Sequence, residues 1–394
     1  MSMTISKAFL LLSISWAVYV LWIVSYQNGL LTAARDIQKP GGNLPGSELV
    51  PARHRYTGVG VLDKQIKIMT GFFWPALDGS RADVSLVFLE ITTQVIATWI
   101  LLTIESLRVG NKGKWYITSV TITGVLMQNL GYGLIVPLWL FLHLTASSTI
   151  NAATAAPLIS SNPLAILTLP LSTILAFFLP NLLMSLSPPH RFSPDNSTKQ
   201  LYVAICQFGP VLMSVSQFIL PIAISATTPG INILSERDKK LKSLKYLRRS
   251  YIFAFASTTL SHCVAVGIPL LAYLFPKLFS PVYLPQLQLP NVFVPKSPLP
   301  PVQPIPTFVD GVLAFTQWDL LIGSLAVLVW AVTLALQAQR TRHWAFEWLE
   351  SLLKVAALVC VSGPVGAAVV IIWERDEMVF GLDLRREEEE RKSR

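Results

Sequence analysis

Residues 58–111 read GVGVLDKQIKIMTGFFWPALDGSRADVSLVFLEITTQVIATWILLTIESLRVGN, and the second half of this stretch decides the fold. Residues 84–104 form an apolar run long enough to cross a bilayer, which takes about 20 residues. The run nevertheless carries Glu90, Gln94 and Thr98, and Glu105 and Arg108 follow at its end. At about 100° per residue these five fall within roughly one quarter of a helix surface. Ionisable groups in hydrocarbon are costly, so a stripe of this kind is expected to face protein or a wet cavity rather than lipid. The first half of the stretch adds Asp63 and Asp78 on either side of the aromatic segment Phe72-Phe73-Trp74. Together the two halves predict one wall of a polar pocket set in a membrane protein.

Composition agrees. The 394 residues are 52% hydrophobic and only 13% charged, where soluble domains average about 25% charged residues. The charge is also clustered, leaving long segments with almost none. The net charge of +9 is better explained by basic loops beside anionic headgroups than by nucleic acid, which is not expected as a partner. Cys206, Cys263 and Cys360 all sit in apolar runs and read as small packing residues, with no disulfide or metal framework.

Working outward, residues 8–26 are a first span. Their apolar run exceeds the usual signal-peptide core of about 7–15 residues, so an anchor is expected. Within a polar loop at 32–83, residues 66–77 are too short to cross and are bounded by Pro75 and Asp78-Gly79; they read as an interfacial or re-entrant helix. Residues 115–146 are too many for one span and too few for two with a loop. Gly131, Gly133 and Pro137 interrupt them, which predicts one long broken helix. If the break is mild, Asn129, Tyr132 and His143 share a face. Further spans at 164–186, 201–224, 251–275, 320–336 and 352–373 complete an all-α class: a polytopic transmembrane helical bundle of about eight spans, one integral-membrane domain over residues 1–394. Residues 276–307 have proline at nearly every third position and are expected to be an extended loop. The charged tail 374–394 reads as a solvated, fraying helix. The loop 237–249 holds seven Lys and Arg residues and is placed in the cytosol by the positive-inside rule. Alternation over eight spans puts loops 32–83 and 337–351 on that same side. Both termini and the sequon Asn196-Ser197-Thr198 then fall in the lumen, the endoplasmic reticulum being the expected membrane.

No phosphate-binding glycine loop and no nucleophile elbow is present. His54, His143, His190, His262 and His343 show no metal-ligand spacing. There is no DDxxD or DxDD run, so no metal or cofactor is expected. What remains is a set of isolated acids at or near membrane depth: Asp63, Asp78, Glu90, Glu105 and Asp319. A carboxyl group in an apolar site tends to stay protonated at neutral pH and can serve as a Brønsted acid. Aromatic faces can stabilise cations, and Phe73, Trp74, Gln94, Asn129, Tyr132, His143 and His262 are the candidate substrate contacts. Each acid also has a structural reading. Glu105 and Arg108 form a helix-end ion pair, Asp78-Gly79 a turn, and Asp63 and Asp319 helix caps; the histidines would be hydrogen-bonded packing residues.

In three runs, LDKQIKIMTGFFWPALDG at 62–79, IESLRVGN at 104–111 and NLGYGLIVPLWLFLHL at 129–144, the sequence resembles the fungal membrane-bound terpene cyclases of meroterpenoid pathways, the ascofuranone and macrophorin cyclase type. It is also similar to membrane proteins of indole-diterpene clusters. The resemblance implies cyclisation of a prenyl chain carried on a polyketide or phenolic head. Protonation of a terminal epoxide or olefin starts a cation cascade, without metal. It puts the acid role on Glu105, Asp63 and Asp78, and pathway enzymes at the membrane become natural partners. Two other readings stay open at this point: a transporter of a lipophilic metabolite, and a non-catalytic scaffold binding partners through 237–249.

Overall fold

The computed structural model describes residues 2–39, 41–46, 50–151, 154–227, 236–341 and 348–392. His343 and the middle of the 337–351 loop lie outside the described residues. In chain order the principal helices are α1 (Met3–Gln27), α2 (Gly60–Leu77), α3 (Ala82–Ser106), α4 (Val120–Leu130), α5 (Tyr132–Ala146), α6 (Pro163–Ser185), α7 (Asn196–Cys206), α8 (Gly209–Thr227), α9 (Glu236–Leu274), α10 (Leu289–Phe293), α11 (Phe308–Thr341) and α12 (Trp348–Lys392). Among the described residues the only strands are the two-residue pair Asn43–Leu44 and Val50–Pro51. Seven helices, α1, α3, α6, α8, α9, α11 and α12, contain stretches long and apolar enough to span a membrane.

The helix that carries the polar stripe is the centre of the bundle. In α3, 83% of the most apolar window is buried, against 22% in α8 at the periphery. Glu90, Gln94, Thr98, Glu105 and Arg108 are all buried, as the stripe required. The other face of α3 makes the main apolar core, where Trp99, Ile100 and Ile104 meet Trp139, Leu140 and Trp330.

Two segments depart from simple crossing. The 115–146 stretch breaks at Gly131, whose φ of 103° lies in the left-handed region open to glycine. The break is a reversal, not a mild bend. Lys114 Nζ donates to Ser148 Oγ at 2.9 Å and Trp139 Nε1 to the Ile117 carbonyl at 3.3 Å, so the start of α4 lies beside the end of α5. Asn129, exposed on α4, consequently lies away from the face of α5 on which Tyr132 and His143 are both buried. The second reversal is in α12, where Gly363 has φ 72° and Pro364 follows without an N–H to continue the ladder. Lys354 pairs with Glu374 across the break. A straight helix would hold these residues about 30 Å apart. The 352–373 segment, expected to cross once, thus folds back as a helical hairpin with its tip at Ser362–Gly363.

These reversals change the direction of everything around them. One end of the bundle gathers the 105–108 end of α3, the start of α9 and the end of α12, where Arg248 pairs with Glu377 and Lys240 with Glu387. The other end gathers the start of α3, where Arg81 pairs with Asp83 and Asp310, and the 50–58 loop, where Arg53 reaches Ser197 and Gln200. Loops 32–83 and 237–249 therefore sit at opposite ends, contrary to alternation over eight spans. Loop 32–83 instead sits with the sequon at Asn196. The tail is not a frayed appendage either: α12 runs to Lys392, and Arg375 and Asp376 are 2% and 0% exposed. Helix α2 is also longer than expected, 18 residues running through Pro75. The proline-rich segment 276–307 drapes over the end shared with α2, accepting hydrogen bonds from Tyr19 at Pro298, Trp318 at Lys296 and Gln317 at Asn291 and Val292.

The packing predicts two outcomes. With Cys263 and Cys360 replaced by alanine, Lys354→Cys with Glu374→Cys should form a disulfide under mild oxidation, read as a mobility shift on non-reducing gels. A straight α12 would give none. A Cβ at Gly124 would lie 1.7 Å from the Trp99 ring, so Gly124→Ala should lower stability by about 1–3 kcal/mol in thermal unfolding in detergent.

Candidate active site

The acids of the sequence divide into three surroundings, and each surrounding defines what its carboxyl group can do. Glu105 sits at the end of the bundle shared with the start of α9 and the end of α12, in a cluster with no exposed member. Arg108 Nε approaches its Oε1 at 2.9 Å, Arg375 Nη2 donates to Oε1 at 2.9 Å, and Thr149 Oγ1 donates to Oε2 at 3.0 Å. His143 completes the set. Its Nδ1 accepts from Trp330 Nε1 at 3.1 Å, and an indole can only donate. The neutral imidazole therefore carries its proton on Nε2 and donates it to Glu105 Oε2 at 3.2 Å. Asp376 balances the second guanidinium: it accepts from Arg108 at 2.7 Å, from Tyr251 at 2.7 Å and from Arg375 at 2.9 Å. Donors converge on both oxygens of Glu105, an arrangement suited to holding helices together rather than releasing a proton. Breaking a buried pair of this kind typically costs about 3–5 kcal/mol.

Asp319 caps a helix, and Asp63 and Asp78 close loops. The first N–H groups of α5 are freed by the break at Gly131. Gly133 N donates to Asp319 Oδ1 at 2.7 Å and Tyr132 N to Oδ2 at 3.1 Å. Asp319 thus caps a helix other than its own, which a reading of neighbouring residues could not show. Asp63 closes the loop before α2. It accepts from the Thr57 N–H at 2.7 Å, the Thr57 hydroxyl at 2.8 Å, the Gly58 N–H at 3.1 Å and the Tyr56 N–H at 3.2 Å. The Thr57 N–H chief among these holds its carboxyl below the usual carboxylate range. Asp78 accepts from the Ser80 N–H and hydroxyl at 2.9 and 2.7 Å in the turn after α2.

Glu90 is different. It is 2% exposed, in the lower half of α3. Its Oε1 accepts from His262 Nδ1 at 2.9 Å and from Gln94 Nε2 at 2.8 Å. Its Oε2 is buried and meets no hydrogen-bond partner among the described residues. The tip of the α12 hairpin forms the adjoining wall. Gln94 Nε2 also donates to the Ser362 carbonyl at 3.1 Å, and Gln94 Oε1 accepts from Val365 N at 2.9 Å. A Cβ on Gly363 would lie 2.3 Å from Gln94 Nε2 and 2.9 Å from Glu90 Oε1, so only glycine lets the tip come this close. Glu90 thus has one oxygen anchored by two donors and the other buried without a partner among the described residues.

The candidate contacts separate accordingly. Gln94 and His262 join Glu90. Tyr132 bonds Thr98 at 2.9 Å beside the other hairpin tip, and His143 belongs to the Glu105 cluster. Asn129 accepts from Gln65 at 2.8 Å. Phe73 packs with Phe88 at 5.3 Å, and Trp74 lies under Lys199 at 5.4 Å and in a small core with Leu44, Val50 and Ala52. Sequence reasoning missed Arg375, Asp376, Tyr251 and Thr149. The dipeptide Arg375-Asp376 directly after an apolar run was the one available signal. Among the described residues no group of three or more His, Cys, Asp or Glu side chains is placed to hold a metal ion. An open groove of about 650 Å³, lined by Leu241, Lys245, Arg248, Glu377 and Arg385, lies at the charged end of α9 and α12, about 25 Å along α9 from His262.

Comparison with known proteins supplies the wider setting. The sequence profile of the CtvD domain matches residues 6–380. The chain is 29% identical over 343 residues to terpene cyclase ascI of Acremonium egyptiacum, covering 86% of this chain and 83% of that one. It is 28% identical over 372 residues to terpene cyclase penA of Penicillium crustosum, covering 93% and 94%. It is also 28% identical over 335 residues to terpene cyclase ctvD of Aspergillus terreus, covering 83% and 86%. No solved structure gives a significant match. Matched by one family over nearly its whole length, and related to fungal proteins that are named terpene cyclases, the chain belongs to the CtvD-domain family.

Proposed function

We propose that the chain is a membrane-bound terpene cyclase that protonates the terminal epoxide or olefin of a farnesylated polyketide or phenol, with Glu90 as the acid. One observation carries the assignment of Glu90: a buried Oε2 without a partner among the described residues, beside an Oε1 held by His262 and Gln94. The names of its relatives support the cyclase reading at the level of the family. The seven apolar helices support a substrate that arrives dissolved in lipid.

In this reading the proton on Glu90 Oε2 passes to the epoxide oxygen or the alkene carbon. The C–O bond or π bond opens, and the cation is captured in turn by the chain's own double bonds. Loss of a proton or attack by an internal hydroxyl ends the cascade. Gln94 keeps the acid pointed by gripping both it and the hairpin tip. The hairpin and α3 keep water away from the cation. The Glu105 cluster holds α3, α5, α9 and α12 in register, some 20 Å along α3 from the acid, and takes no proton-donating part. No metal is called for by a step that starts with protonation instead of diphosphate departure. The reading places the protein in the endoplasmic reticulum membrane, beside the enzymes that prenylate and epoxidise its substrate.

Microsomes carrying the protein should convert a farnesylated phenol terminal epoxide to an isomer of equal mass and different retention, read by mass spectrometry. Glu90→Gln keeps the side chain's shape but has no acidic proton; it should lose about 10²–10⁴-fold in rate. Asp319→Asn, which can still cap α5, should keep most of the activity. Full activity in Glu90→Gln would sink the assignment. Chelation with EDTA should leave the rate unchanged. Glu105→Gln should instead lower the yield of folded protein, read by size-exclusion chromatography in detergent.

A further inference from the structure

Once Glu90 has given up its proton it is a carboxylate with no proton to hand on, enclosed by α3, α9 and the hairpin tip. Its two direct side-chain partners are Gln94, which cannot titrate, and His262, which can. His262 lies on α9, one residue past Ser261, whose hydroxyl donates to the Leu89 carbonyl of α3 at 3.0 Å. One residue further on, Cys263 contacts the Val361 carbonyl of the hairpin at 3.7 Å. The imidazole is therefore directed into the seam where α3, α9 and α12 meet. It is not sealed there: its side chain is 15% exposed, against 3% for Glu90. Nδ1 is committed to Glu90, whereas Nε2 makes no hydrogen bond among the described residues and is not a buried atom. The ring thus has one nitrogen on the acid and the other without a hydrogen bond among the described residues, the two-sided placement a proton shuttle uses.

We infer that His262 is the residue through which Glu90 is recharged between turnovers, a reading that rests on Glu90 being the initiating acid. After the first proton transfer Glu90 is a carboxylate facing His262 Nδ1. Nε2 takes a proton from water at the open side, making the imidazolium. The Nδ1 proton then moves to Glu90 Oε1, the ring is left neutral with its hydrogen on Nε2, and proton exchange with water returns the ring to the Nδ1–H tautomer before the next turnover. A half-turn of the carboxyl about Cγ–Cδ brings the acidic hydrogen back to the bare position. The proton lost at the end of the cascade returns to water, so one proton enters and one leaves for each substrate isomerised. No oxidant or other reactant is needed. His262 in this scheme does not touch the substrate, so it is a positioning and relay residue rather than the acid itself.

The test is His262→Asn. Asparagine Nδ2 occupies the place of imidazole Nδ1, so the hydrogen bond to Glu90 is kept while the titratable group is removed. Rapid mixing of purified protein with excess farnesylated phenol terminal epoxide should give about one product per protein in the first turnover, followed by a steady rate at least tenfold below wild type. Added imidazole should restore the steady rate severalfold in His262→Ala and not in Glu90→Gln. A His262→Asn protein that turns over repeatedly at the wild-type rate would overturn the relay and leave Glu90 standing as the acid. Loss of the first turnover in folded His262→Asn would overturn it too, because His262 would then serve the protonation step itself. Wild-type protein that leaves the probe unchanged would remove the cyclase reading and the relay together, an outcome distinct from either of the others.

Discussion

Two helix breaks inside an apolar bundle expose backbone groups that no water can satisfy, and that requirement organises the molecule. Each buried N–H or C=O left without a partner is costly in such surroundings. The fold meets the requirement with side chains from the two most buried long helices. Asp319 on α11 takes the free N–H groups of α5, and Gln94 on α3 takes one carbonyl and one N–H at the tip of α12. The polar residues of the interior are thus present for structural reasons first. Glu90 is the acid that remains after those requirements are met.

The second organising element is the ion cluster at the other end of α3. Glu105, Arg108, Arg375 and Asp376 are contributed by two helices that are far apart in the chain, and Tyr251 and His143 tie in two more. Their mutual pairing compensates the desolvation of each, which is why none of them reaches the surface. It also accounts for a charged tail that continues as ordered helix: α12 has to carry Arg375 and Asp376 to this point and then lie along the basic start of α9.

The membrane class, the central role of α3 and the inward direction of its stripe were legible from residue types and spacing alone. Glu90, Gln94 and Thr98 in an apolar run leave few other arrangements. The two hairpins were not legible. Hydropathy reports whether a segment is apolar, not whether the chain returns the way it came. Gly131-Tyr132-Gly133 signalled a break without its angle, and Ser362-Gly363-Pro364 was hidden inside a run of ordinary span length. Once two crossings become reversals, every inference about sidedness beyond them shifts. The acids nearest the three motif runs are engaged elsewhere, Asp63 and Asp78 in loop hydrogen bonds and Glu105 in ion pairs. Those roles depend on partners such as Thr57 and Arg375, and the latter comes from a distant part of the chain. Glu90 stood out because of its depth in the span, and one of its oxygens has no partner among the described residues.

The Glu105 cluster brings two guanidinium groups and two carboxylate groups together within a few ångströms. Summed, they form a set of opposed dipoles with no monopole. A voltage across the bilayer does work only on net charge that moves through the field. Such a cluster can shift with its helices while presenting no net charge to the apolar surroundings that helices of this length and composition imply.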